Sequence, residues 1–247
     1  PALLPSLENL KPLVGKNTTI ITCMNGIPHW YFHKLDNKYA NYKIKCLDPN
    51  LLIDTILPPD NIVGSVVYPA CEIVKPGTIK HIAGNRFSLG EPEGSESDRL
   101  KFISDILKRA GFRAPIQKNI RDEIWLKLIG NLSFNPISAL TGATLEQICD
   151  DQGTEAIVRA MMTEAKLIAE ELGAKINMSI EKRIEGARKV GAHKTSMLQD
   201  IEAGKPIEID SIIIAVKELG ELTCSPTPYI DTILNLTLQK AKLIGCL

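Results

Sequence analysis

The sequence has no excess of either charge. Its 29 basic and 29 acidic side chains cancel. That removes the broad electrostatic case for nucleic acid or an anionic membrane surface as a partner. Long apolar runs are also absent: no stretch approaches the roughly 20 residues a spanning helix needs. The opening "PALLPSLENLKPLVGK" lacks the basic-then-apolar pattern of a secretory signal. The 6 cysteines form no C-x-x-C pair and no Cys/His ligand pattern, so no metal site is expected. In a chain this long they read as scattered reduced thiols used as small buried hydrophobes, and they point to the cytoplasm.

What is present is enough chain for one large domain or two smaller ones, 247 residues in all. Residues 4–14 carry the pattern of a short amphipathic helix. "NTTIITCMNG" is a β-branched run stopped by Asn25-Gly26, a strand leading into a turn. "NIVGSVVYPA" is another short apolar run. "GTIKHIAGNRFSLGEP" alternates around Ala-Gly-Asn and predicts a hairpin. Residues 96–111 have helical spacing at Leu100, Ile103, Ile106 and Leu107, with Gly111 as the stop. Beyond about residue 118 strand signals fade. Helices are predicted over about 120–135, 155–172, 178–190, 194–203, 207–220 and 228–244. The expected architecture is an α/β segment, residues 1–118, followed by an all-helical domain, residues 119–247.

The stretch "EIWLKLIGNLSFNP" places Lys127, Asn131 and Asn135 four residues apart. On a helix such residues share one narrow stripe. Apolar residues surround the stripe on nearly every side, so this helix is built for burial. Burying an unpaired polar group costs about 1–3 kcal/mol, and a charge costs more. Two readings remain. The lysine snorkels to solvent while the asparagines cap or bond backbone, with Asn135-Pro136 ending the helix. Alternatively, the stripe is the polar wall of a ligand cleft, where a partly desolvated lysine serves as a general acid.

Two further groups bear on the choice. "HKTSMLQDIEAGKPIEID" carries Ser196 at one end and Glu208 and Asp210 at the other, with a break at Gly204-Lys205-Pro206. Ser196 fits a helix start as well as a binding hydroxyl, and Glu208 fits a helix dipole as well as a catalytic acid. Asn25-Gly26 fits a plain tight turn, or a turn at the carboxyl edge of a sheet where α/β proteins bind ligands. His29, Trp30, Tyr31 and His33 form either a lid or loop packing, and His81 and His193 read as ordinary residues.

These pieces in this order resemble the 2-dehydropantoate 2-reductase (ketopantoate reductase) family. The resemblance rests on "NGI", "GNRFSLGEP", "IWLKLIGNLSFNPISALTGATLEQI", "SMLQDIEAGKPIEID" and the Pro-Thr-Pro of residues 226–228. It implies a partial Rossmann-type NADP-binding domain followed by a helical domain that closes over substrate. It implies NADPH-dependent reduction of ketopantoate to pantoate, in pantothenate biosynthesis. By resemblance Lys127 is the catalytic proton donor, and Glu208 holds the substrate hydroxyl and tunes that lysine. Asn131 and Asn135 bind the substrate, a small 2-keto acid, Ser196 helps hold its carboxylate, and Asn25 and Gly26 lie at the cofactor.

The sequence also departs from the family. The family's opening strand and G-x-G-x-x-G turn, which cradles a pyrophosphate, do not occur here. The chain starts at Pro1. Against the family, roughly 70 residues of the half-Rossmann unit are lacking. The expectation is therefore a fragment with impaired NADPH binding and an unpaired sheet edge. Ile213, Ile214 and Ala215 make the region beyond Glu208 more apolar than in relatives. Two alternatives follow: a related 2-hydroxy-acid dehydrogenase, or a non-catalytic helical dimerisation or binding module. The apolar C-terminal helix, with Ile230, Ile233, Leu234 and Leu238, packs either inside the chain or against a second copy in a homodimer.

Overall fold

A computed structural model describes residues 3–247. They fall into two compact units. One comprises Ser6–Lys43 and Leu51–Ile124; the other comprises Ile44–Asn50 and Trp125–Leu247, with a few N-terminal residues. The chain opens on α1 (Leu3–Leu10), extended by a 3-10 turn at Lys11–Leu13.

The first unit is built on a three-stranded sheet. Strand β1 (Ile20–Thr22) runs parallel to β2 (Ile62–Val67), with α2 (Leu52–Ile56) between them in sequence. β2 in turn pairs antiparallel with β5 (Phe87–Gly90). Its residues are buried from Ile62 to Val66, Ser65 included, as befits a central strand. Beyond β5 the segment 113–117 adds bonds, including Leu89 N–H to Pro115 O at 2.9 Å and Gln117 N–H to Leu89 O at 2.7 Å. The opposite edge is β1, whose Ile21 is exposed. Helix α3 (Asp98–Arg109) covers the sheet. Ser97 caps it by accepting from Leu100 N–H, and Gly111 follows it at φ +89°. Its Leu100 joins Val63, Leu89 and Ala114 in a core flanked by Ile103, Leu107 and Ile116. Ile106, expected on that face, is exposed.

The hairpin is not where the sequence pattern puts it. β3 (Ala70–Lys75) and β4 (Thr78–Ala83) form a separate two-stranded ribbon that turns at Pro76-Gly77. The Ala-Gly-Asn segment instead releases the chain from β4 toward β5. Gly84 adopts φ +76° there, with the Tyr68 carbonyl 2.8 Å from where a Cβ would stand.

The aromatic run after β1 is core. Trp30, Tyr31 and Phe32 are almost wholly buried, and His29 is buried beside them. Trp30 Nε1–H donates to Thr22 Oγ1 at 3.0 Å. Its ring lies on Gly64, where a Cβ would fall 2.6 Å from a ring carbon. Arg121 donates to the carbonyls of Tyr31 at 2.7 Å and His33 at 2.8 Å, and to that of Pro92. The loop is thus stapled down, and the lid reading of these residues is replaced by packing.

The second unit is helical. It takes α4 (Ile120–Thr141) from Trp125 onward, then α5 (Leu145–Asp150), α6 (Gln152–Glu171), α7 (Ile180–Arg188) and α8 (Ser196–Glu202). A π-helical turn at Asp210–Ile214 runs into α9 (Ala215–Thr223), and α10 (Pro228–Ile244) completes the unit. α6 is central, packing on α5, α7, α9 and α10. Its Glu164 accepts from Tyr229 N–H at 2.9 Å and Ile230 N–H at 3.0 Å, capping the start of α10. Glu218 on α9 similarly accepts from Lys45 N–H at 2.7 Å and Cys46 N–H at 3.0 Å, which fastens residues 44–50 to this unit.

Three expectations change here. α4 does not stop at Pro136; it continues to Thr141 and ends at Gly142, φ +76°. A proline inside a helix forfeits one N–H bond. Burial of Ile137 and Ala139 beyond it, and bonds from Lys240 Nζ to the carbonyls of Ala139 and Leu140, keep the last turn helical. α5 is an added element, marked by a capping box between Thr144 and Gln147. In α10, Ile230, Ile233 and Leu234 are buried within the chain. All six cysteines are free thiols, but only Cys149 and Cys246 are buried; Cys23, Cys71 and Cys224 are exposed and Cys46 lies between. No helix among the described residues is long and apolar enough to cross a membrane.

Candidate active site

The polar stripe of α4 is held in place by its apolar surroundings. Trp125, Leu128, Leu132 and Phe134 are buried and fix the rotation of the helix in the second unit. Lys127 and Asn131 are therefore left partly buried, neither free in solvent nor sealed in the core. Asn135, one turn further, is buried. It sits deeper than Lys127 and Asn131.

Lys127 carries the clearest electrostatic signature. Its ammonium is pushed down from the usual lysine value to about 8. Loss of hydration is the main cause, Glu208 opposes it, and the positive Arg183 adds to it. Residues 127 and 208, 81 positions apart by subtraction, thus interact inside one unit.

Glu208 is positioned by its neighbours in sequence. Ile207 and Ile209 are buried on either side of it, and Ile207 N–H bonds Cys246 O at 3.0 Å. These anchors leave the intervening carboxylate partly exposed. It precedes the wide π-helical turn 210–214, a distortion that recurs at functional sites. Ile212 and Ile213, in that turn, are core residues. Asp200 on α8 also faces this carboxylate. Burial, then Glu208, raise the Asp200 carboxyl above its ordinary value, and Lys205 counters them.

Ser196 is the exposed first residue of α8. The cap of that helix is Thr195, whose Oγ1 accepts from Leu198 N–H at 3.3 Å. Ser196 is thereby released from the capping duty that its sequence position offered. Asn25 and Gly26 lie in the first unit, just past β1, where Gly26 adopts φ +82°. That turn sits at the carboxyl end of a parallel strand, the edge at which open α/β sheets receive ligands.

Sequence reasoning passed over Arg183. It lies on α7, and its guanidinium packs against Gly130 of α4 so closely that a Cβ there would collide with it. The one available signal was Gly130 itself, a glycine inside a strongly apolar helix. Among the described residues no cluster of His, Cys, Asp or Glu is arranged to hold a metal ion.

Comparison with known proteins decides the family. Residues 119–241 match the family described as ketopantoate reductase PanE/ApbA C terminal. The 2-dehydropantoate 2-reductase of Mesorhizobium japonicum is 48% identical over 245 residues, 99% of this chain and 75% of that protein. The chain belongs to the ketopantoate reductase family. A crystal structure assigned as a ketopantoate reductase from Ralstonia solanacearum superposes with a TM-score of 0.96 at 39% identity, covering all of this chain and 75% of that one. A ternary structure of D-mandelate dehydrogenase with NADH and anilino(oxo)acetate gives a TM-score of 0.81 at 20% identity, covering 98% of this chain and 74% of that one. That likeness is one of fold. The family match takes in Lys127, Asn131, Asn135, Arg183, Ser196 and Glu208 together.

Proposed function

We propose that this protein reduces 2-dehydropantoate to pantoate, with NADPH as the hydride donor. The observation that carries the reading is Lys127, a largely desolvated amine interacting with Glu208 within the region that matches the family.

The residues present fit part of the cofactor. The Asn25-Gly26 turn, at the end of a parallel strand, suits the nicotinamide end. These 247 residues contain no G-x-G-x-x-G turn for the pyrophosphate. When bound, NADPH supplies the hydride.

The chain's own residues supply the rest. As the keto carbon is reduced, negative charge develops on its oxygen. The Lys127 ammonium stabilises that charge and hands over a proton. An amine at about 8 is matched to this task, because it is largely protonated at neutral pH yet gives up its proton readily. Glu208 keeps the lysine charged and accepts from the substrate hydroxyl. Asn131 and Ser196 offer an amide and a hydroxyl to the polar groups of the substrate, and the buried Asn135 completes the wall. A cytoplasmic setting belongs to the same reading, supported by the six free thiols.

The test has two arms. Calorimetry on the chain itself should show pantoate binding that is lost in Lys127→Ala. Joined behind a glycine-rich strand–turn–helix from a relative, the chain should oxidise NADPH on addition of 2-dehydropantoate, ahead of other 2-keto acids in a panel. Faster turnover of another keto acid would reassign the substrate. No binding and no turnover would overturn the reading.

A further inference from the structure

The sheet unit carries two buried Glu–Arg pairs, and they are built differently. Glu91 meets Arg99 with both oxygens: Nε–H donates to Oε1 and Nη2–H to Oε2. Fork meets fork, and that carboxylate is closed. Glu123, in the first turn of α4, instead receives three donors on one oxygen. Tyr68 Oη donates to Oε1 at 2.7 Å, Ser88 Oγ at 2.9 Å and Arg86 Nη2 at 2.7 Å. Arg86 gives its Nε–H to Ser88 Oγ at 2.9 Å, so its fork does not close on Glu123. Its guanidinium also lies over the Tyr68 ring.

The second oxygen, Oε2, accepts from no group among the described residues. Glu123 as a whole is only 7% exposed. Yet Oε2 is not sealed in the core, as the unpartnered Ser133 Oγ is. It opens outward from an otherwise buried group, and the three donors on its twin hold it in one orientation. Such an acceptor is pre-organised, so a ligand donor meets it with little ordering cost.

Its place narrows the ligand. β1 and β2 are parallel and bring their carboxyl ends to one edge, β1 at the Asn25-Gly26 turn and β2 at Tyr68. β5 runs the other way and starts at that edge, which puts Arg86 beside Tyr68; Tyr68 N–H bonds Arg86 O at 3.0 Å. Glu123 therefore stands at the edge where open α/β sheets receive ligands, in the same unit as the Asn25-Gly26 turn. A carboxylate there repels phosphates and keto-acid carboxylates and takes only N–H or O–H donors. The nicotinamide ring brings one such donor, the N–H2 of its carboxamide.

Resting on the function proposed above, we propose that Glu123 Oε2 receives the carboxamide N–H2 of the nicotinamide. Tyr68, Ser88 and Arg86 are then positioning residues, which occupy Oε1 and leave its twin to the ligand.

The test uses the chain itself with reduced nicotinamide mononucleotide and its 3-acetylpyridine counterpart, in which a methyl group replaces the N–H2. Ligand-observed NMR titration measures both in the unmodified protein, Glu123→Gln and Glu123→Ala, each first checked for folding by thermal melting. The unmodified chain should prefer the carboxamide by roughly 10- to 100-fold, as for a hydrogen bond to a charged acceptor. In Glu123→Gln the amide oxygen takes the place of Oε1 beneath the three donors, and the amide N–H2 faces the ligand. The preference should vanish or reverse, because the acetyl oxygen can accept from that N–H2. Glu123→Ala should bring the two ligands level; if it proves unstable, Glu123→Gln alone decides. A purely structural Glu123 would shift both ligands equally.

No preference in the unmodified chain, or a preference that Glu123→Gln leaves unchanged, would overturn the assignment. So would failure of both mononucleotides to bind. None of these results touches pantoate binding through Lys127, so the two readings fail separately.

Discussion

Glu208 holds a proton on Lys127 that burial works to remove. The two residues come from distant parts of the helical unit, and their balance leaves the amine at about 8. The chemistry proposed for this protein depends on that balance.

One prediction concerns pH. Reduction requires Lys127 protonated, so activity in the reconstituted enzyme should fall as pH rises through about 8. Glu208→Gln removes the influence that raises the lysine, so the alkaline limb should move to lower pH. A pH–rate profile of kcat/KM for the two proteins checks this, and an unmoved limb would separate Glu208 from the lysine.

A second concerns the cost of the site. Lys127 in the fold titrates below its ordinary value of 10.5, so the folded state disfavours its charge. The sign follows: the penalty is fully present below about pH 8 and disappears as pH rises through the unfolded value. Lys127→Met should therefore stabilise the protein at neutral pH, by up to about 3 kcal/mol, less whatever Glu208 loses. The same variant should lower turnover by roughly 100- to 10,000-fold. Urea denaturation and steady-state rates test the two halves separately.

A third lies away from the site. Glu91, fully buried at its side chain, is held in a two-pronged pair by Arg99, with Nε at 2.7 Å and Nη2 at 2.6 Å. Burial pulls this carboxyl upward, but Arg99 and Ser97 outweigh it and the net direction is down. Its contribution is thus present above the unfolded carboxylate value and is lost as pH falls through the folded one. Glu91→Ala leaves Arg99 with only the carbonyls of Asp60 and Ile62 and should cost about 1–3 kcal/mol. Denaturant unfolding at neutral pH measures it.

A fourth concerns Gly64 and Trp30. Gly64→Ala would place a carbon 2.6 Å from the indole ring and 3.2 Å from the Gly90 carbonyl. Overpacking of this kind costs about 1–3 kcal/mol. The Trp30 ring is shielded by that contact, so its fluorescence should also report the disturbance.

Much of this was legible in the sequence because the signals were local. The stripe of Lys127, Asn131 and Asn135 is an i, i+4 pattern, readable wherever a helix is predicted. The apolar runs that became β1 and β2 were equally plain. Partners distant in sequence were not. Nothing near Gly130 announces that Arg183 will rest on it, and nothing near "AGN" says that β5 will leave β4 and pair with β2. Two turn signals, Pro76-Gly77 and Gly84-Asn85, lie close together, and only tertiary pairing decides which one closes the ribbon. Pro136 misled for a related reason. Its local preference to end a helix was overridden by burial beyond it and by Lys240, more than 100 residues away.

The most direct test of the account needs no ligand. The protein can be labelled at the lysine side chains with carbon-13 and nitrogen-15, with Lys127 assigned by its loss in Lys127→Arg, and titrated by NMR. The account predicts a midpoint for Lys127 at about 8. It also predicts that this midpoint falls in Glu208→Gln and rises in Arg183→Met. A midpoint near 10.5, the ordinary lysine value, unmoved by either change, would contradict it.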